Sequence, residues 1–77
     1  MITVKVIRKE TGLPEKNHKV FIARSGPQTL GLRGSKVNWT NERGETQFDM
    51  EPCEGIVNVD GRNLHIGRID SKVVIYI

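Results

Sequence analysis

A single cysteine, Cys53, leaves this chain without an intramolecular disulfide framework. Small secreted domains usually depend on such staples. The opening residues, Met1-Ile2-Thr3-Val4-Lys5-Val6, alternate as a strand and lack the charged start, apolar run and cleavage site of a signal peptide. No apolar stretch approaches the ~18–20 residues that span a bilayer. These absences lead to the expectation of a soluble protein in a reduced, cytoplasmic setting with no membrane partner; a fragment of a secreted or surface protein also fits. Aromatic residues are equally scarce, only Phe21, Trp39, Phe48 and Tyr76. A chain of 77 residues buries about 60–65% of its unfolded surface. One domain over residues 1–77 with a thin core is expected, and its ligands belong on loops or a sheet face.

Constellations that carry chemistry are also missing. His18, His65 and Cys53, with Glu51 and Glu54, have the atoms to bind a metal, but no pair has the spacing of a zinc ligand set. A Cys53–His65 nucleophile pair would need the fold to bring the two together, and a cysteine is more often a small buried residue. Asp49 and Glu51 lie in or beside turns. Gly26, Gly31 and Gly34 are neither spaced as a phosphate-binding fingerprint nor followed by a helix. The expectation is a protein that is not an enzyme and carries no cofactor.

What the chain does have is period two. Ile2, Val4 and Val6 alternate with Thr3, Lys5 and Ile7, the pattern of a half-buried strand. Thr11-Gly12-Leu13-Pro14 breaks it. Lys19-Val20-Phe21-Ile22-Ala23-Arg24 reads as a central strand. Lys36–Thr40 follows, with Val37 and Trp39 on one face. The turn Asn41-Glu42-Arg43-Gly44 then predicts a hairpin into Glu45–Met50, where Thr46, Phe48 and Met50 share a face. Val57-Asn58-Val59 runs into Asp60-Gly61, the pair favoured where both turn residues need positive φ. Arg62–Ile69 answers it, with Leu64 and Ile66 on one face and Gly67 as a candidate bulge. Val73–Ile77 is apolar on both faces and reads as a central closing strand. Were it an edge, it would be a seam for a weak dimer through Val73, Ile75 and Ile77. About seven short antiparallel strands spaced at about 8–12 residues predict an all-β, Ig-like sandwich, with a small five-stranded barrel as the alternative.

Three segments resemble transthyretin-like, carboxypeptidase-regulatory-like β-sandwich modules: Gly12 and Pro14 ahead of Val20-Phe21-Ile22, Thr40 through Gly44 to Phe48, and Val57 through Asp60-Gly61. The resemblance implies an accessory module for folding, docking or surface recognition, with no catalytic residues to carry over. Urate-metabolising hydrolases of the same fold end in a tyrosine–arginine–glycine–serine signature that Val74-Ile75-Tyr76-Ile77 does not match. In such a module Gly44 closes its turn and Phe48 anchors the core beside Trp39.

Charge is uneven. Residues 1–40 hold eight Lys or Arg against two Glu, and residues 41–77 hold four against seven acidic residues. Pairing between neighbouring strands accounts for this as well as an anionic partner does. The basic, glycine-rich stretch from Arg24 to Lys36 (Arg24, Gly26, Arg33, Gly34, Lys36) is the candidate contact loop, since glycines let a ligand approach the backbone. The leading expectation is a module that binds another protein. A basic nucleic-acid-binding barrel is the runner-up, weakened because single-strand binders stack bases on exposed rings. A carbohydrate-binding module is the third reading, and it requires Trp39 to face outward.

Overall fold

The computed structural model describes residues 1–24, 33–34 and 37–77, with 33–34 described by their backbone alone. Among these residues the chain forms eight strand segments: β1 (Ile2–Ile7), β2 (Lys19–Arg24), β3 (Arg33–Gly34), β4 (Asn38–Trp39), β5 (Glu45–Phe48), β6 (Cys53–Val59), β7 (Arg62–Ile69) and β8 (Lys72–Tyr76). The short β3 and β4 pair with opposite ends of the same edge of β2, so the segments occupy seven strand positions. One sheet has the order β5-β1-β8; the other runs from the β3/β4 edge through β2 and β6 to β7. A single cluster of buried side chains joins them, so the fold is an all-β sandwich of two separate sheets rather than a closed barrel. No described helix is long and apolar enough to cross a membrane.

The alternation seen in the sequence sets the core. Ile2, Val4 and Val6 point inward from β1 and are fully buried, and Val20, Ile22, Val57, Val59 and Ile69 meet them from the opposite sheet. Each such side chain contributes roughly 1.5–3 kcal/mol relative to exposure. Phe48 is buried as expected, beside Thr46 on the same face of β5, with Met50 packed against the cluster. The Asp60-Gly61 turn has φ of 53° and 86°, the two positive angles that its residues favour.

Several expectations fail, each for a physical reason. The strands are not all antiparallel: β8 runs parallel to β1, because the chain changes sheets at Asp70-Ser71 instead of folding back as a hairpin. That placement makes β8 an edge strand, not a central one. Val73 and Ile75 point into the core and Ile77 packs against it, so none of the three forms an exposed seam. The turn at Asn41–Gly44 carries the chain from one sheet to the other, so β4 and β5 are not the two arms of a hairpin. The bulge in β7 lies at Leu64–His65, where the register against β6 shifts, while Gly67 stays in register opposite Gly55. The extra residue reverses the alternation, so Leu64 packs on the core whereas Ile66 is 72% exposed.

Trp39 is another. It is 58% exposed and does not accompany Phe48 in the core. Its register partner on β2 is the exposed Lys19, whereas Asn38 lies opposite the buried Val20. Directly paired residues share a face, so the inward positions of this segment go to Asn38 and Thr40. Both are polar because the junction of the sheets needs hydrogen bonds. Asn38 Nδ2 donates to the Gln47 carbonyl at 2.7 Å, and the Thr40 hydroxyl, in a residue only 2% exposed, donates to the Glu15 carbonyl at 2.7 Å.

Candidate functional site

Where the two sheets meet along one side, β4 and β5 frame an open cleft of about 340 Å³ lined by Trp39, Asn41, Arg43, Glu45, Thr46 and Gln47. Its geometry is set by the Asn41–Gly44 turn. Asn41 Oδ1 accepts the backbone N–H groups of Arg43 at 2.9 Å and Glu45 at 3.1 Å, an Asx turn that an Asn makes as readily as an Asp. Gly44 closes the turn at φ 73° and its carbonyl accepts the Val6 N–H at 2.7 Å, tying the turn to the central strand of its sheet.

The side chains of Trp39, Arg43, Glu45 and Gln47 make no hydrogen bond or ion pair with the other described residues. A flat indole face therefore stands beside a guanidinium, a carboxylate and an amide, all presented to solvent on a backbone fixed from behind. An indole offers apolar area and a ring face at little conformational cost. The surrounding groups supply donors and acceptors of both kinds.

A second polar cluster lies around the Asp60-Gly61 turn. His18 Nδ1–H donates to Asp60 Oδ2 at 2.5 Å, and Asp60 Oδ1 accepts the Lys19 N–H at 3.0 Å. His18 Nε2 is 4.0 Å from Glu15 Oε1, and Glu15 is paired in turn with Arg8. The Thr40 hydroxyl also accepts the His18 N–H at 3.0 Å. This set pins the hairpin tip to the start of β2. Burial alone would raise the Asp60 carboxyl, but the His18 and Lys19 hydrogen bonds and the His18 charge together hold it below its ordinary value.

A carboxylate lowered in this way stabilises the fold fully above the ordinary value of 3.8, and the contribution is lost as pH falls through the lower folded value. Asp60→Asn keeps the acceptor for Lys19 and tolerates positive φ, so it isolates the charge. Because the Asp60 side chain is 47% exposed, solvent screening limits the expected loss to about 0.5–1 kcal/mol near pH 5. The gap between wild type and variant in urea melts should narrow as pH falls below 3.8 and through the lower folded value; a constant gap would show that charge is not involved.

The remaining candidates are dispersed. Arg24 is exposed at the end of β2 and Arg33-Gly34 form β3, while Gly26 and Lys36 lie outside the described residues. Gly12 has φ 71° in an exposed turn that bonds back to the Arg8 carbonyl, and the nearby Pro14 bridges to Ile7. Cys53 is half-buried in register with Ile69, and His65 donates Nε2–H to the Arg68 carbonyl at 2.7 Å. Among the described residues no group of three or more His, Cys, Asp or Glu is arranged to hold a metal ion. Phe48 is buried and Phe21 half-buried, so Trp39 is the open ring at the junction of the sheets.

Sequence reasoning missed both the cleft and the His18–Asp60 pair. The pair spans 42 positions, and nothing local signals it. The cleft had a signal in Thr40 and Asn38, whose hydrogen-bonding side chains were competitors for the inward positions. Comparison with protein-family models, curated proteins and solved structures gives no match for this chain.

Proposed function

We propose that this domain is a non-catalytic recognition module whose binding surface is the Trp39 cleft. The observation that carries the reading is an exposed indole flanked by Arg43, Glu45 and Gln47, none of them engaged with another described side chain. Trp and Arg are the residues most enriched among binding hot spots, and a cleft of about 340 Å³ suits a side chain or short segment of a partner protein. Such a role is the one implied by the resemblance of the sequence to transthyretin-like accessory modules, whose fold is also a two-sheet β-sandwich. Selection of a displayed random-peptide library tests the reading. Peptides should enrich on the wild type and fail on Trp39→Ala, whose melting temperature should be unchanged because the ring is exposed. No enrichment, or peptides that bind the variant equally, would count against it.

The exposure of Trp39 specifically favours a second reading, a carbohydrate ligand. Indole faces pack against the C–H face of a pyranose, and planar amide, carboxylate and guanidinium groups match ring hydroxyls. Titration with cellohexaose, maltohexaose and chitohexaose should then shift the emission of Trp39, the only tryptophan in the chain. An unchanged spectrum with all three removes this reading and leaves the peptide reading standing.

A further inference from the structure

We propose that the open edge of β8 pairs antiparallel with β8 of a second copy, joining two three-stranded sheets into one six-stranded sheet. The inference follows from the β1–β8 ladder. In a parallel pair each strand uses alternate residues toward its neighbour. Thr3 N–H donates to the Ser71 carbonyl and Ile77 N–H to the Ile7 carbonyl, with Thr3 in register with Lys72 and Ile7 with Tyr76. The residues of this segment that bond to β1 are therefore Ser71, Val73, Ile75 and Ile77. Lys72, Val74 and Tyr76 direct their N–H and C=O groups to the opposite side, where no described strand pairs with them.

The other edges are defended. The β7 edge carries the Leu64–His65 bulge, a glycine at φ 122° and Arg62 and Arg68. The β5 edge is four residues long, and Asn38 already occupies its Gln47 carbonyl. On the remaining edge, β3 and β4 are two residues each. Short edges, bulges and charges are the usual protections against strand addition. β8 has five residues, no proline and no register shift, and its one charge, Lys72, lies at its first position.

The partner is a second copy because the edge is self-complementary. A two-fold axis at Val74 sets Val74 against its symmetry mate and Lys72 against Tyr76 of the partner strand. All three residues then exchange both N–H and C=O across the seam, the narrow pairing of an antiparallel ladder. On the outer face the Lys72 ammonium lies beside the Tyr76 ring, an attractive pairing, and the exposed surfaces of Val74 and Tyr76, 41% and 57%, are partly covered. The mode is isologous, so it closes at the dimer and does not propagate.

Sedimentation equilibrium and amide hydrogen exchange on the full chain test this. The expected result is a concentration-dependent dimer in which the amides of Lys72, Val74 and Tyr76 gain protection as protein concentration rises. Val74→Lys places like charges on the axis, and Val74→Pro removes an N–H that β1 does not use. Each should weaken association by about tenfold or more while circular dichroism still reports a folded sandwich. A wild type that stays monomeric at millimolar concentration would overturn the proposal. So would a dimer that both variants leave intact, or protection that appears elsewhere.

Discussion

Replacing Gly55 with alanine is expected to destabilise the domain by about 3–5 kcal/mol, at the upper end of what single substitutions do. Gly55 lies in the interior of β6, in register with Arg24 of β2, and a Cβ there would stand 2.2 Å from the Ala23 carbonyl oxygen and 3.1 Å from its carbonyl carbon. Both are backbone atoms, and no rotamer change relieves the overlap. The strands must separate, which costs hydrogen bonds between β2 and β6 and loosens Val20, Ile22, Val57 and Val59, all core residues of these two strands. A domain of this size has little reserve, since total stabilities run about 5–15 kcal/mol. Each kcal/mol corresponds to about 4–8 °C in melting temperature for 60–100 residues, so a fall of about 15 °C or more is expected by calorimetry. Gly61→Ala is the control: nothing lies within 4 Å of its added Cβ, leaving only the cost of φ 86°. Equal effects at the two glycines would mean that the close approach of β2 and β6 is wrong.

The second large effect is expected at Gly44. Its φ of 73° nearly equals the 71° of Gly12, but the surroundings differ: a Cβ at Gly44 would meet the Val6 carbonyl oxygen at 2.6 Å and Pro14 Cβ at 2.9 Å, whereas at Gly12 nothing lies within 4 Å. Alanine at Gly12 therefore reports the backbone angle alone, about 1 kcal/mol, the lower end for a side chain in a sparsely populated region. Alanine at Gly44 adds the collision with β1, for a total of about 2–4 kcal/mol. The same change moves the turn that presents Arg43 and Glu45, so ligand binding should fall more steeply for Gly44→Ala than for Gly12→Ala at temperatures where both remain folded. Matching losses at the two positions would contradict the turn's placement against β1.

The same residues show how far the sequence can be read. Regular alternation within one strand is a local property, and Ile2, Val4 and Val6 were identifiable as inward-facing from it alone. The Asp60-Gly61 turn was legible for the same reason, because its chemistry is confined to two neighbouring residues. What escaped depended on pairing between distant segments. The Leu64–His65 bulge inverts the facing of β7 with no proline or glycine at the bulge itself to mark it. The change of sheets at Asp70-Ser71 sets β8 parallel to β1, although the turn residues look like those of a hairpin. At β4, apolar character suggested that Val37 and Trp39 face the core. The sheet junction instead required the hydrogen bonds of Asn38 and Thr40, and Trp39 was turned outward by that demand. The Trp39 cleft thus arises where local hydrophobic pattern and tertiary hydrogen bonding conflict, and such conflicts tend to gather at functional sites.

The exposure of Trp39 is the central claim, because both readings of the cleft depend on it. As the chain's only tryptophan, its fluorescence reports this ring alone. Steady-state emission with acrylamide and iodide quenching of the native protein is the most direct measurement. The fold described here predicts a red-shifted spectrum that both quenchers reach almost as readily in the native protein as after unfolding in urea. A blue-shifted spectrum that is protected until the domain unfolds would return Trp39 to the core and remove the cleft as a recognition site.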